Sequence, residues 1–404
     1  MLLRIAFRNV FRNGRRTSIT LVVVVFGAVA MILFGGYKTV TFYNLRESTI
    51  RNRLGHLQIF ARGYLSAKSQ KPLQYGLDDV RALRGAVESD PRVKMTAAQI
   101  SLMGLISNGE SSETFLATAV EPEKDRSMSS VRLRAGSWID ERETDGVMLG
   151  RGLAEAMNAR PNDYLTLMTT TTTGSLNAID VRVAGIFSTG VKEFDDRAIK
   201  MPLGGAQQLL QTARVERLIV MLHDTEDTKA VETALLQTLR ARGLDVEMKD
   251  WSDLATFYHQ VVLLYNGIFG FLGIVVFAIV ILSVMNTTMM SIFERTREIG
   301  TLMAIGTTRA RVWNMFLLEG FFIGAIGAAL GIAAGLGTAA LINAADLMLP
   351  PPPGYTVGYL LRIRPTAPVL TTALLISVIT ATVSAVTPAF KASRLKIVDA
   401  LGHI

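Results

Sequence analysis

Cysteine is absent from this 404-residue chain, and charged residues make up only 19% of it. Without cysteine, neither disulfide bonds nor thiolate metal sites can form. The four histidines are widely separated, and neither a His-Glu-x-x-His pair nor the phosphate-binding pattern Gly-x-x-x-x-Gly-Lys-Ser/Thr occurs. Adjacent acids such as Asp195 and Asp196 point apart on a strand or helix, so we interpret them as solvated surface. These absences predict a chain with no catalytic site, metal or cofactor of its own, which does not hydrolyse ATP alone.

Long apolar segments account for the low charge. A helix that crosses a bilayer needs about 20 mainly apolar residues. Four segments meet this requirement: Thr17–Tyr37, Leu254–Phe293, Val312–Ala345 and Pro365–Phe390. Ala28–Ala30 resembles a signal-peptide cleavage site, but apolar residues continue through Phe34, which favours a membrane span.

The net charge of +8 is concentrated beside these segments. Residues 45–260 carry 27 Lys and Arg against 29 Asp and Glu, so the excess does not indicate a nucleic-acid surface. The flanks 1–16, 294–311 and 391–404 are all net positive, and positive flanks face the cytoplasm. Both termini and residues 294–311 are therefore expected inside, with residues 45–260 and the loop 346–365 outside.

The first 16 residues have an amphipathic pattern. Arg4, Arg8, Arg12 and Arg15 recur at helical spacing, with apolar residues elsewhere on the helix. A helix on the anionic inner leaflet and an ordinary basic flank both explain this pattern.

The second apolar segment is longer than a bilayer requires. Forty helical residues extend about 60 Å, against a hydrocarbon core of about 30 Å. We predict a helical stalk over Leu254–Asn266, paired with Thr39–Arg53 after the first span.

Strand–helix patterns occur at both ends of residues 45–260. His56–Ala61 and Leu218–His223 read as strands, and Leu77–Glu88 and Asp227–Arg242 as helices. Residues about 110–210 are richer in strand patterns. The predicted fold class is an α-helical membrane protein with four transmembrane helices and a large extracytoplasmic α+β domain, a split α/β subdomain with a β-rich insertion.

Two features of the third span concern its packing. Gly327, Gly331 and Gly335 recur every fourth residue, which indicates either a close-packing seam, such as a subunit interface, or general small-residue enrichment. Glu319 is the acid of this span. A structural hydrogen bond and a polar lock that responds to the preceding loop are both compatible with its position.

A charged island, Phe293–Gly306, separates the second and third spans. The layout and motifs resemble an FtsX-like (MacB-type, type VII) ABC transporter permease, and are closest to permeases of lipoprotein-releasing systems. Five stretches carry the resemblance: His56–Phe60, Leu149–Ala154 before Asp163–Leu165, Glu294–Gly300 with Ala304–Gly306, Pro388–Arg394, and Val398–Leu401.

The resemblance implies a homodimer or heterodimer of permeases bound to a separate ABC ATPase dimer, which carries ATP and Mg. Because the phosphate-binding pattern does not occur in these residues, the ATPase is expected on another polypeptide, unlike the fused ATPase of the macrolide exporters. Residues 294–306 would form a coupling helix, with Ile299, Met303 and Ile305 against the ATPase. The coupling residues would be Glu294, Arg295, Arg297, Glu298, Ile299, Gly300, Met303, Ala304, Ile305 and Gly306.

The implied location is the bacterial inner membrane, with the large domain in the periplasm. The segments would be a cytoplasmic helix (1–16), the first span and stalk (17–44), the periplasmic domain (45–260), the second span (261–293), the coupling loop (294–311), the third span (312–345), an outer loop (346–365), the fourth span (366–390) and a cytoplasmic tail (391–404).

Three functions fit the resemblance. In each, ATP drives closure of the cytoplasmic side, and this closure is converted into movement of the outer domain, a mechanism called mechanotransmission. The first is extraction of a lipoprotein or other amphiphile from the outer leaflet, with a periplasmic carrier as a possible partner. The second is drug or peptide efflux with a periplasmic adaptor. The third is regulation of a cell-wall hydrolase.

Overall fold

The computed structural model describes residues 2–401 except 13, 68–72, 74, 130 and 352–355. Pro352 and Pro353 of the proline-rich outer loop, whose role the sequence leaves open, lie outside the described residues. The chain divides into two compact units. We call residues 1–43, 260–349 and 360–404 the helical unit, and residues 44–259 and 350–359 the sheet unit.

The helices are α1 (Leu2–Arg12), α2 (Gly14–Thr49), α3 (Tyr64–Ala67), α4 (Val80–Val87), α5 (Pro122–Met128), α6 (Arg151–Ala156), α7 (Lys192–Asp195), α8 (Leu203–Leu210), α9 (Thr228–Ala241), α10 (Trp251–Leu254), α11 (Thr256–Glu294), α12 (Thr296–Ala304), α13 (Arg309–Ala344), α14 (Ala367–Ser384), α15 (Val386–Ser393) and α16 (Ile397–Leu401). The strands are β1 (Leu57–Ala61), β2 (Val93–Ser107), β3 (Ser112–Val120), β4 (Arg132–Gly136), β5 (Gly146–Gly150), β6 (Tyr164–Thr170), β7 (Leu176–Ser188), β8 (Ala198–Pro202), β9 (Arg217–Leu222), β10 (Val246–Asp250), β11 (Met348–Leu349) and β12 (Tyr359–Leu360).

Among the described residues, four helical segments are long and apolar enough to cross a membrane. They are Gly14–Asn52, Thr256–Glu294, Arg309–Ala344 and Ala367–Ser393. The four predicted spans are therefore confirmed. The predicted helical extensions are present from Thr256 in α11 and as far as Thr49 in α2. Leu254 instead ends α10, and a π-helical turn, Ile50–Leu54, follows α2. Near these extensions the rings of Phe42 and Tyr265 lie 6.2 Å apart.

Glycines allow α13 to pack closely against α2. Three facing pairs form the seam: Gly327 with Val24, Gly331 with Ala28, and Gly335 with Ile32. A Cβ atom at position 331 would lie 2.5 Å from the Cβ of Ala28, so only glycine permits this approach. On another face of α13, a Cβ at Gly320 would lie 2.8 Å from the Cβ of Ala385. The glycine seam is thus a packing surface within the chain.

The sheet unit contains a split α/β subdomain. Its strands lie in the order β10-β1-β9-β2, and each neighbouring pair is antiparallel. Along the chain, α4 lies between β1 and β2, and α9 lies between β9 and β10. This is the double β-α-β arrangement of ferredoxin-like domains. The prediction of one α/β subdomain interrupted by an insertion is confirmed.

The insertion closes into a ring of strands. β2 pairs with β3, β3 with β8, β8 with β5, β5 with β7, β7 with β6, and β6 returns to β2. β2 belongs to both parts, since its 15 residues reach from the subdomain into the ring. Side chains such as Ile106, Phe115 and Leu167 fill the interior and are at most 1% exposed. Each strand of this ring is paired on both edges, and β4 pairs with β7 outside it.

Asp195 is a buried structural residue, so its interpretation as solvated surface is wrong. The side chain is 2% exposed and accepts hydrogen bonds from the hydroxyl groups of Ser188 and Thr189, both at 2.7 Å. Its backbone lies against the Leu149–Ala154 motif, because a Cβ at Gly150 would be 2.3 Å from the carbonyl oxygen of Asp195. The acid is buried because neighbouring donors satisfy its oxygens.

Candidate coupling site

The charged island forms the short helix α12, set off by a break at each end. After α11 the backbone leaves the helical conformation at Arg295, which has a φ of −111° and a ψ of 12°. After α12, Gly306 has a φ of +98°, a left-handed conformation that glycine adopts without strain. Thr308 then caps α13, its side-chain oxygen accepting the backbone N–H of Arg311. These breaks make α12 a discrete element between two membrane helices.

One face of α12 packs into its own chain. Ile299 is 1% exposed and Gly300 is buried, while Met303 is partly buried in the same cluster. The cluster also contains Ile292, Val312, Met315, Phe316, Ala389 and Ala392. The expectation that Ile299 lies against a partner is therefore wrong, because adjacent helices already cover it. Met303 is partly exposed, so its contact with a partner stays a prediction.

The opposite face of α12 is exposed. We call Arg297, Thr301, Ala304 and Ile305 the free face; the neighbouring Leu302 and Gly306 are also exposed. Ile305 is 76% exposed. Among the described residues, the Arg297 side chain has no hydrogen-bond or ion-pair partner. A free cation beside an exposed isoleucine is suited to docking against another protein.

A polar cluster formed by Asn9, Arg12, Arg295, Glu298 and Glu319 joins α1, α12 and α13. The Asn9 amide donates to Glu319 Oε1 at 2.7 Å, and Arg295 Nη1 lies 3.3 Å from the same oxygen. Arg295 Nε lies 3.3 Å from Glu298 Oε2, and Arg12 forms a second ion pair with Glu298. Glu319 is 7% exposed. The contacts from Asn9 and Arg295 satisfy a carboxyl oxygen of Glu319, which accounts for an acid within a span.

The electrostatics of the cluster keep Glu298 ionised. The hydrogen bond from Arg12 holds the pKa of the Glu298 carboxyl below its usual value, and Arg295 acts in the same direction. The same contact raises the pKa of the Arg12 guanidinium. Both side chains are about half exposed, so solvent screening keeps the energetic contribution small. The Arg12–Glu298 pair therefore orients α12 and contributes little to the stability of the fold.

The N-terminal partners of this site were not identified from the sequence. Besides Asn9 and Arg12, Arg16 lies 2.7 Å from Glu294 Oε1, at the end of α11. The available signal was charge complementarity, since residues 1–16 have five Arg and no acid. Periodicity alone does not show which distant acids those arginines meet.

No group of three or more His, Asp or Glu side chains that could hold a metal ion occurs in the described part of the chain. The residues of the polar cluster pair with one another, and their geometry suits mechanical attachment of α12.

Two family models match the chain. The model described as "MacB-like periplasmic core domain" matches residues 17–238, and "FtsX-like permease C-terminal" matches residues 270–397. Together with the four apolar helices and the mixed α/β unit, these matches define a membrane transport permease with a large extracytoplasmic domain. The chain belongs to the FtsX-like and MacB-like family of ABC transporter permeases.

Several relatives show this similarity over different lengths. LolC of Neisseria meningitidis serogroup B, named a lipoprotein-releasing system transmembrane protein, is 24% identical over 80% of this chain and 78% of its own length. The macrolide export ATP-binding/permease protein MacB of Acinetobacter baylyi is 26% identical over 42% of this chain. That match spans only 26% of MacB. The periplasmic region of MacB from Actinobacillus actinomycetemcomitans aligns with a TM-score of 0.39 and 12% identity, over 54% of this chain and 96% of that structure.

Proposed function

We propose that this chain is the membrane subunit of an ABC transporter whose separate ATPase dimer docks on the free face of α12. The observation that carries the proposal is the two-sided character of α12. Arg297 and Ile305 lie exposed, while Ile299 and the polar cluster fix the other side to neighbouring helices. A displacement of the free face is therefore passed to α13 and the end of α11. ATP and Mg belong to the partner, and this chain supplies no cofactor.

The orientation in this proposal follows the charge distribution. Residues 1–16, 294–311 and 391–404 lie in the cytoplasm, and residues 45–260 lie in the periplasm, with the spans in a bacterial inner membrane. A second permease subunit, identical or different, completes the complex. The polar cluster acts as the lock through which the third span responds to α12.

The proposed cargo is a lipoprotein or another amphiphile of the outer leaflet. Support comes from the LolC match, which extends over 339 residues and most of both chains. The MacB match of 174 residues favours a second candidate, efflux of a drug or peptide. Regulation of a cell-wall hydrolase is the third candidate; it requires the outer domain to signal instead of carrying cargo.

Reversal of charge at Arg297 tests the docking proposal. Arg297→Glu should reduce co-purification of the ATPase roughly tenfold, which corresponds to about 1.4 kcal/mol of binding free energy. Lys94→Glu is the matched control, because Lys94 is exposed in the sheet unit and the substitution makes the same charge change. Glu298 is a poorer target, since its reversal would also break contacts with Arg12 and Arg295. Unchanged co-purification of the folded Arg297→Glu variant would refute docking at this face.

A further inference from the structure

The helix α1 presents three different faces. Val10 is 3% exposed and lies in one apolar cluster with Ile323 of α13. Asn9 and Arg12 belong to the polar cluster. The third face is an apolar stripe that stays about half exposed among the described residues: Leu3, Phe7 and Phe11 are 59%, 45% and 55% exposed.

The apolar stripe lies beside a membrane helix. The ring of Phe7 is 5.5 Å from the ring of Phe322, which belongs to the third span, and 5.1 Å from the ring of Phe11. The stripe is therefore continuous with surface that faces acyl chains. A helix in this position lies in the bilayer interface, with its apolar side among the lipid tails.

The charges around the stripe fit anionic lipid headgroups. Arg8 and Arg15 are exposed, and their side chains have no partner among the described residues. Residues 1–16 contain five arginines and no acid. Each basic residue near an anionic membrane surface strengthens binding roughly fivefold. A water-soluble protein partner would explain the arginines but not a phenylalanine stripe that continues onto a membrane span.

We propose that α1 binds the anionic phospholipid surface of its leaflet and thereby sets the position of α12. The apolar stripe inserts among acyl chains, and Arg8 and Arg15 bind lipid phosphates. The bound helix then holds the coupling segment through the contacts of Asn9 with Glu319 and of Arg12 with Glu298. The consequence for coupling rests on the proposed function of α12, whereas the lipid contact does not.

The absence of cysteine allows a direct test on the full chain. A nitroxide on Phe11→Cys reports collisions with oxygen, which is enriched in the bilayer, and with a water-soluble nickel chelate. In nanodiscs that contain phosphatidylglycerol, the label should be accessible to oxygen and protected from nickel. Pure phosphatidylcholine should give weaker protection, and Arg8→Gln/Arg15→Gln should remove the difference between the two lipids. A label on Thr301→Cys, on the free face of α12, should stay accessible to nickel in both.

Two outcomes would overturn the lipid contact of α1. The first is a Phe11→Cys label that is equally accessible to nickel in both lipids. The second is protection that occurs only when the ATPase is bound, which would make α1 a protein contact. A second measurement tests the coupling. Phosphatidylglycerol should raise the ATPase rate of the complex several-fold, and the variant Arg8→Gln/Arg15→Gln should lose this response. A variant that keeps the full response would refute the link to α12. Arg297→Glu should leave the label immersed, so failure of ATPase docking is distinguishable from failure of lipid binding.

Discussion

His56 shows how a single buried side chain is fixed by its neighbours. The backbone N–H of Leu222 donates to Nδ1 at 3.1 Å, which leaves the proton of the neutral ring on Nε2. Nε2 lies 3.0 Å from Thr225 Oγ1, and the Thr225 hydroxyl donates to Glu47 at 3.1 Å. This relay joins the segment before the π-helical turn Ile50–Leu54 to two parts of the sheet unit. It requires neutral imidazole.

Burial, the main cause, lowers the pKa of His56 to about 4, from an ordinary value of 6.5. Below pH 6.5 the unfolded chain takes up a proton that the folded chain does not. Stability should therefore fall as the pH drops from 6.5 towards 4, with a slope of at most about 1.4 kcal/mol per pH unit from this group. Above pH 6.5 the contribution is constant.

Denaturation of the sheet unit at several pH values, followed by Trp138 and Trp251 fluorescence, measures this slope. His56→Asn keeps an acceptor near the Nδ1 position but cannot titrate, so its profile should be flatter. His223→Asn is the control, since His223 is exposed on the same part of the sheet unit. A wild-type slope that His56→Asn leaves intact would show that other groups cause it.

At the scale of helices, the glycine seam predicts a sharp difference between two positions of α13. Gly331→Ala places a Cβ 2.5 Å from that of Ala28, whereas a Cβ at Gly337 meets nothing within 4 Å. We expect Gly331→Ala to cost about 1–3 kcal/mol, as overpacking does, and Gly337→Ala to be neutral. Unfolding in mixed micelles with increasing SDS compares the two variants, and equal midpoints would contradict close packing of α13 on α2.

At the same scale, the sequence predicts local elements but not which distant surfaces they contact. Membrane spans and strand–helix units follow local sequence patterns. Such a pattern predicts the span Thr17–Tyr37, which lies within the longer helix α2. The closure of the ring through β6 and β2 was not predicted, because the pairing of Leu105 with Met168 joins residues far apart in the chain. Ile299 was assigned to the wrong partner for a related reason. An amphipathic pattern shows that one face of α12 is covered, but not which surface covers it.

For the whole molecule, the distribution of burial bears on the cargo. In the most apolar part of each helix, half of the residues of α13 are buried, against 11% in α11. A cavity of about 330 Å³ lies between α2, α11 and α14. Its lining includes Gly27, Gly273, Phe277 and Ser377 and contains no charged residue. Such a cavity suits an acyl chain better than a charged drug.

Release from proteoliposomes therefore distinguishes the candidate functions. With the ATPase and ATP present, a lipoprotein that carries its acyl chains should be released from the proteoliposomes. The same polypeptide without acyl chains should not be retained by the permease. Gly273→Leu should reduce retention, since the larger side chain would enter the cavity without meeting a neighbour within 4 Å of its Cβ. Gly267→Leu lies on the same helix outside the cavity lining and should behave like the wild type.

Stimulation of the ATPase by a macrolide, with no acyl-dependent release, would favour efflux. No release of either cargo would favour a signalling role, because the movement would then act on a partner of the outer domain.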